Sequence, residues 1–132
     1  MIVRDPGHRY QLRVFDGHRQ AFLQFVKRNR PAHRYPGNAD AECGTMSQEV
    51  LRVLIDRAKY LDAQEGAPEN PIVLSKLREA LYQLEARGAR YRGLALPEHF
   101  KVEEIESYPV CEGCGHIFCQ KCTRHVFGST QA

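Results

Sequence analysis

The sequence lacks any apolar run approaching the roughly 18 residues that a membrane helix requires, so a bilayer-spanning helix is not expected. Its first ten residues, MIVRDPGHRY, hold no apolar core of signal-peptide length, which predicts a cytoplasmic protein in a reducing compartment. It has no low-complexity tract. It also has no Gly-Lys-Ser/Thr phosphate loop, no dinucleotide glycine fingerprint and no His-Glu-x-x-His helix, so those nucleotide and metalloprotease chemistries have no carrier here. These absences favour a non-enzymatic protein.

What is present is a chain of 132 residues, 42% hydrophobic and 27% charged, the size and balance of one globular domain. Charge is unevenly spread. Residues 1–38 hold eight Lys or Arg against two acids, whereas residues 39–106 hold nine against thirteen. Such asymmetry suits an electropositive face for an anionic partner, and it equally describes a solvated surface whose field is closed by acidic helices. On the first reading, Arg13, Arg19, Lys27, Arg28, Arg30 and Arg34 contact the phosphates of a nucleic acid, with Tyr35 or Phe118 available for stacking.

Alternation in YQLRVF, from Tyr10 to Phe15, and again from Ala21 to Lys27, with Asp16-Gly17 between, predicts a β-hairpin. Residues 28–44 show no period and form a long connecting loop. Thr45 and Gln48 have capping-box spacing. After them Met46, Val50, Leu51, Leu54, Ala58 and Leu61 make one stripe of a helix ending near Asp62, with Glu49, Arg52, Asp56, Arg57 and Lys59 opposite. Asn70-Pro71 then caps and starts a second helix, with Leu74, Leu77, Ala80, Leu81 and Leu84 as its stripe and Gly88 near its end. The short connection makes the two helices an antiparallel hairpin. The predicted fold is therefore α+β: an N-terminal β-hairpin packed on an antiparallel two-helix hairpin, with a C-terminal knuckle built on the closely spaced cysteines Cys111, Cys114, Cys119 and Cys122. Residues 1–106 form the ββαα body and residues 107–132 the knuckle. A ribbon-helix-helix arrangement does not fit, because it feeds its strand almost directly into a helix. The carboxylates Glu103, Glu104 and Glu106 read as a solvated acidic run.

The chemistry lies in the tail. PVCEGCGHIFCQKCTRH places Cys111, Cys114, Cys119 and Cys122 as two Cys-x-x-Cys pairs, the spacing with which tight knuckles offer paired thiolates to one ion. Gly115 supplies the backbone freedom such a knuckle needs. Four sulfurs complete a tetrahedron, which favours one zinc ion over iron and makes it structural, since catalytic zinc keeps a position open for water. Only four residues separate the pairs, so His116 or His125 is an alternative ligand to one cysteine. A redox Cys-x-x-Cys pair is disfavoured by the lack of a neighbouring βαβ pattern. A separate alternative is a thiol enzyme using Cys43, two residues before the Thr45 cap, with His33 as its base.

The run CGHIFCQKC resembles the centre of RING fingers, and CEGCGHIFCQKC is similar to the middle of FYVE fingers. On the RING pattern Cys114, His116, Cys119 and Cys122 would be ligands. Both families need further cysteine pairs, while Cys43 is the only other cysteine here. Ubiquitin transfer and phosphoinositide binding are therefore not implied, and the likeness reads as convergence on a zinc knuckle. Over most of the chain, YQLRVFDG, LQFVKR, YPGN, GTMSQEVLRVLIDRAKYLDAQ and CGHI resemble small uncharacterised bacterial and prophage proteins. That resemblance implies a bacterial or phage setting and no catalytic residue. The expectation is a zinc-stabilised adaptor or inhibitor that binds a protein or macromolecular complex.

Overall fold

A computed structural model describes residues 1–27 and 43–119 of the chain. The architecture is α+β, with an N-terminal antiparallel sheet and a helical hairpin, and the chain divides into two compact units, Met1–Met46 and Ser47–Ala132.

The first unit is a three-stranded sheet of order β1-β2-β3, with β1 at Ile2–Asp5, β2 at Arg9–Leu12 and β3 at Ala21–Gln24. The expected hairpin is present as β2 and β3, paired from Arg9↔Gln24 to Leu12↔Ala21, but both strands are shorter than the alternating runs. The eight residues from Arg13 to Gln20 connect them, and Asp16 adopts a left-handed φ of 58° within that loop. β1 is an addition to the expected hairpin. Asp5-Pro6-Gly7-His8 turns it into β2: proline presets the first corner, Gly7 has a φ of 77°, and the His8 N–H donates to the Asp5 carbonyl at 2.9 Å.

Thr45 does not cap a helix. Its backbone instead joins the sheet unit, donating to the Gln24 carbonyl at 2.9 Å and accepting from the Val26 N–H at 2.8 Å. The first helix, α1, therefore starts two residues later and spans Ser47–Gln64.

The second unit is built on α1 and α2 (Asn70–Tyr91), packed as a hairpin. Asn70 is not the N-cap either. Glu69 holds that position without a side-chain cap bond, and the Asn70 amide donates to the Asp62 carboxylate at 3.0 Å and the Glu65 carbonyl at 3.1 Å, fastening the helix connection. α2 continues through Gly88 to Tyr91. After it the chain forms a 3-10 segment, Val102–Ser107.

Ile55, Leu74, Leu81, Ile105 and Ile117 form the core of this unit, with Leu51, Ala58, Leu77, Tyr82, Phe100, Tyr108, Val110 and Phe118 packed against them. Each fully buried aliphatic side chain contributes on the order of 1.5–3 kcal/mol. The inward face of α1 differs from the stripe expected. Ile55 is fully buried while Leu54 and Leu61 are exposed, and Arg52, assigned to the outer face, is turned inward with 13% of its side chain exposed. On α2, Ala80 is exposed and the buried line is Leu74, Leu81, Glu85 and Ala89. The acidic run is not wholly solvated. Glu106 pairs with Arg78 at 2.6 Å and lies 3.6 Å from the Lys59 ammonium. Partial burial pushes the Glu106 carboxyl up, but the Arg78 hydrogen bond, its own backbone N–H and the Arg78 and Lys59 charges outweigh that and hold it below the ordinary carboxylate range.

Candidate metal centre

The chain reaches the cysteines through a tight antiparallel turn closed by the Val110↔Ile117 bridge. The Cys111 N–H donates to the His116 carbonyl at 3.0 Å, and the Gly115 N–H donates to the Cys111 carbonyl at 2.7 Å, with Gly115 at a φ of 75°. This geometry curls Cys114 back toward Cys111. A second left-handed residue, Phe118 at a φ of 51°, turns the chain again just before Cys119. A side chain other than Gly, Asn or Asp is costly in that region, by about 1–2 kcal/mol. Packing compensates for it: the Phe118 ring lies 5.1 Å from Tyr108 and 5.8 Å from Phe100, and Phe100 stacks on Tyr82 at 5.6 Å.

The result is that the sulfurs of Cys111, Cys114 and Cys119 all lie within 4.8 Å of one another. Three cysteines so placed could hold a metal ion. Burial, together with the hydrogen bonds that the Cys114 thiol donates to the Cys119 and Cys111 sulfurs and the Cys111 charge, pushes the Cys114 thiol up to about 12, against the opposing pull of the His116 backbone N–H on its sulfur. Crowded thiolates repel, and a cation among them reverses that penalty, because sulfur binds metal only as thiolate. Cys122 and His125 lie outside the described residues.

His116 takes a different partner. Its Nδ1 faces the Glu85 carboxylate at 3.3 Å, away from a place in the three-sulfur group, and its ring packs so closely on α2 that a Cβ at Gly88 would stand 2.7 Å from its Cε1. Glu85 is fully buried. The same carboxylate oxygen accepts from the Ile117 backbone N–H at 3.3 Å, and the other oxygen accepts from Arg52 Nη2 of α1 at 3.2 Å. One carboxylate thus joins both helices to the cysteine turn. Arg52 Nε and Nη1 are buried without a hydrogen-bond partner among the described residues, so Glu85 satisfies only part of the guanidinium.

Sequence reasoning finds the cysteines and misses Glu85, Arg52 and Gly88. The available signal was positional: Glu85 stands four residues after Leu81 and four before Ala89, on the buried line of α2, where a carboxylate demands a partner.

The other candidate residues fall elsewhere. Cys43 is exposed and precedes a residue that belongs to the sheet unit, so the helix N-terminus expected beside it begins at Ser47 instead. His33, the base assigned to it, lies outside the described residues. Of the basic set, Arg13 and Arg19 line one cleft of the sheet unit. Lys27 is buried, 4% exposed, and ion-paired with Asp5, so it is not a free phosphate contact. Arg28, Arg30, Arg34 and Tyr35 lie outside the described residues, and Phe118 is engaged in the aromatic cluster and is not a free stacking platform. No helix of the described residues is long and apolar enough to cross a membrane. No protein-family model, curated protein or solved structure matches the chain.

Proposed function

We propose that the chain is a non-enzymatic adaptor or inhibitor, stabilised by one structural zinc ion on Cys111, Cys114, Cys119 and Cys122, that binds a protein or macromolecular complex in the cytoplasm of a bacterial or phage-infected cell. The observation that carries the reading is the convergence of three thiols within 4.8 Å on a turn fastened to both helices through Glu85. Four thiolates fill a tetrahedron and leave no position for water, which suits zinc in a scaffolding role. Apparent binding energies on the order of 10–16 kcal/mol are enough to fix a tail with few apolar residues.

A protein partner is favoured by α1. It carries Val53, Leu54, Tyr60 and Leu61, all exposed, alongside the residues that pack into the core. A group of exposed apolar side chains on one helix suits an interaction surface.

Native mass spectrometry of protein isolated from its own host tests the reading, through one bound zinc and a co-purifying macromolecule. Val53→Asp with Leu61→Asp should release the partner and leave the zinc in place. Metal-free wild-type protein would contradict it, as would a partner that survives both substitutions.

A further inference from the structure

The sheet unit carries a second surface, remote in sequence from the cysteines. Cross-strand partners project to the same side of a sheet, so the register places Ile2, Gln11 and Phe22 on one face, and alternation adds Arg9 and Gln24. Arg4 joins them, since its Nε donates to Gln11 Oε1 at 2.9 Å. The Arg9 guanidinium lies over the Phe22 ring, 4.6 Å from its centroid, and Phe22 remains 42% exposed.

At one end of this face Ile2 and Gln11 continue into a cleft of about 300 Å³, which Arg13, His18 and Arg19 also line and, among the described residues, no carboxylate does. Of the two acids in the described part of this unit, Asp5 is held by Lys27, and Asp16 sits in the loop without lining the cleft.

We infer that this face and its end cleft bind single-stranded nucleic acid. Arg4, Arg9, Arg13 and Arg19 take phosphates, and the exposed ring of Phe22, already backed by a guanidinium, stacks an unpaired base. The pairing of an aromatic platform with a basic track is what distinguishes the ligand. A track of arginines alone would serve any polyanion, whereas a ring on a sheet face adds affinity only where bases are free to stack. A duplex stacks its bases on one another and hides those faces, so a ring on the sheet face gains nothing from it. The inference is independent of the zinc reading, since none of its residues is a cysteine ligand.

The test is fluorescence anisotropy of the full zinc-loaded chain with a labelled oligothymidylate across a salt series, with the matching duplex and polyglutamate as competitors. Four phosphate contacts give a slope of log affinity against log salt of about −3. Phe22→Leu keeps the apolar bulk, removes the ring and should weaken binding by about tenfold. Arg13→Glu with Arg19→Glu, both at exposed loop positions, should abolish it. No binding at low salt overturns the inference. So does displacement by polyglutamate or duplex as effective as by unlabelled single strand, the first of which would mark a surface for acidic proteins. Zinc content is read on the same samples, so failure here leaves the metal reading standing.

Discussion

The fully buried Glu85 carboxylate accepts the backbone N–H of Ile117 at 3.3 Å, and this contact ties the cysteine turn to the middle of α2. Arg52 and His116 complete its shell. Glu85→Ala leaves the buried Arg52 guanidinium with only the exposed Glu49 carboxylate, 3.8 Å away, to answer its charge and should cost on the order of 3–5 kcal/mol in denaturant unfolding of the zinc-loaded protein. Glu85→Gln keeps one acceptor and should fall between wild type and alanine. Equal stability of wild type and Glu85→Ala would show that the turn is not docked as described.

Gly88 gives a prediction with opposite signs for two arrangements. In an exposed helix interior Gly→Ala stabilises by up to about 1 kcal/mol. Here the new methyl would meet the His116 ring at 2.7 Å, and the ring is held by Glu85, so Gly88→Ala should destabilise by about 1–3 kcal/mol and weaken zinc retention. Chemical denaturation reads the sign directly.

Much of the fold is legible in the sequence, and the failures have physical causes. Alternation reveals the β2–β3 hairpin and periodicity reveals both helices. α1 misleads in detail because it carries apolar residues on two sides: Val53, Leu54 and Leu61 compete with Leu51, Ile55 and Ala58, and hydrophobicity alone does not say which side packs. β1 is announced by Asp5-Pro6-Gly7-His8, a turn signal overlooked when those residues are read only for a targeting segment. Thr45 and Asn70 have the chemistry of caps, yet both are recruited by neighbours distant from their own first turn. The cysteines are plain from spacing. Glu85 is not, since a carboxylate on a helix looks solvated until tertiary packing covers it.

Phe118 allows the cost of the second turn to be measured. Phe118→Ala loses the ring contacts with Tyr108 and Phe100 but keeps a Cβ in the left-handed region. Phe118→Gly loses the same contacts without that cost and should be more stable than Phe118→Ala by about 1 kcal/mol, while both fall below wild type. Thermal unfolding of the three zinc-loaded proteins checks the order.

Acid should weaken the second unit through Glu106. Its carboxyl lies below its ordinary value when folded, so its contribution is present above the unfolded value and is lost as pH falls through the folded one. Glu106→Gln removes that contribution at neutral pH, and the difference in stability between wild type and Glu106→Gln should therefore shrink as the solution is acidified. A difference that stays constant over the same range would assign the Arg78 contact no electrostatic part.

X-ray absorption at the metal edge of freshly isolated, unsubstituted protein tests the central claim most directly. The account predicts zinc with a shell of four sulfurs at about 2.3 Å and no light-atom ligand. A spectrum showing no bound metal, or a shell with oxygen or nitrogen in place of sulfur, would contradict it.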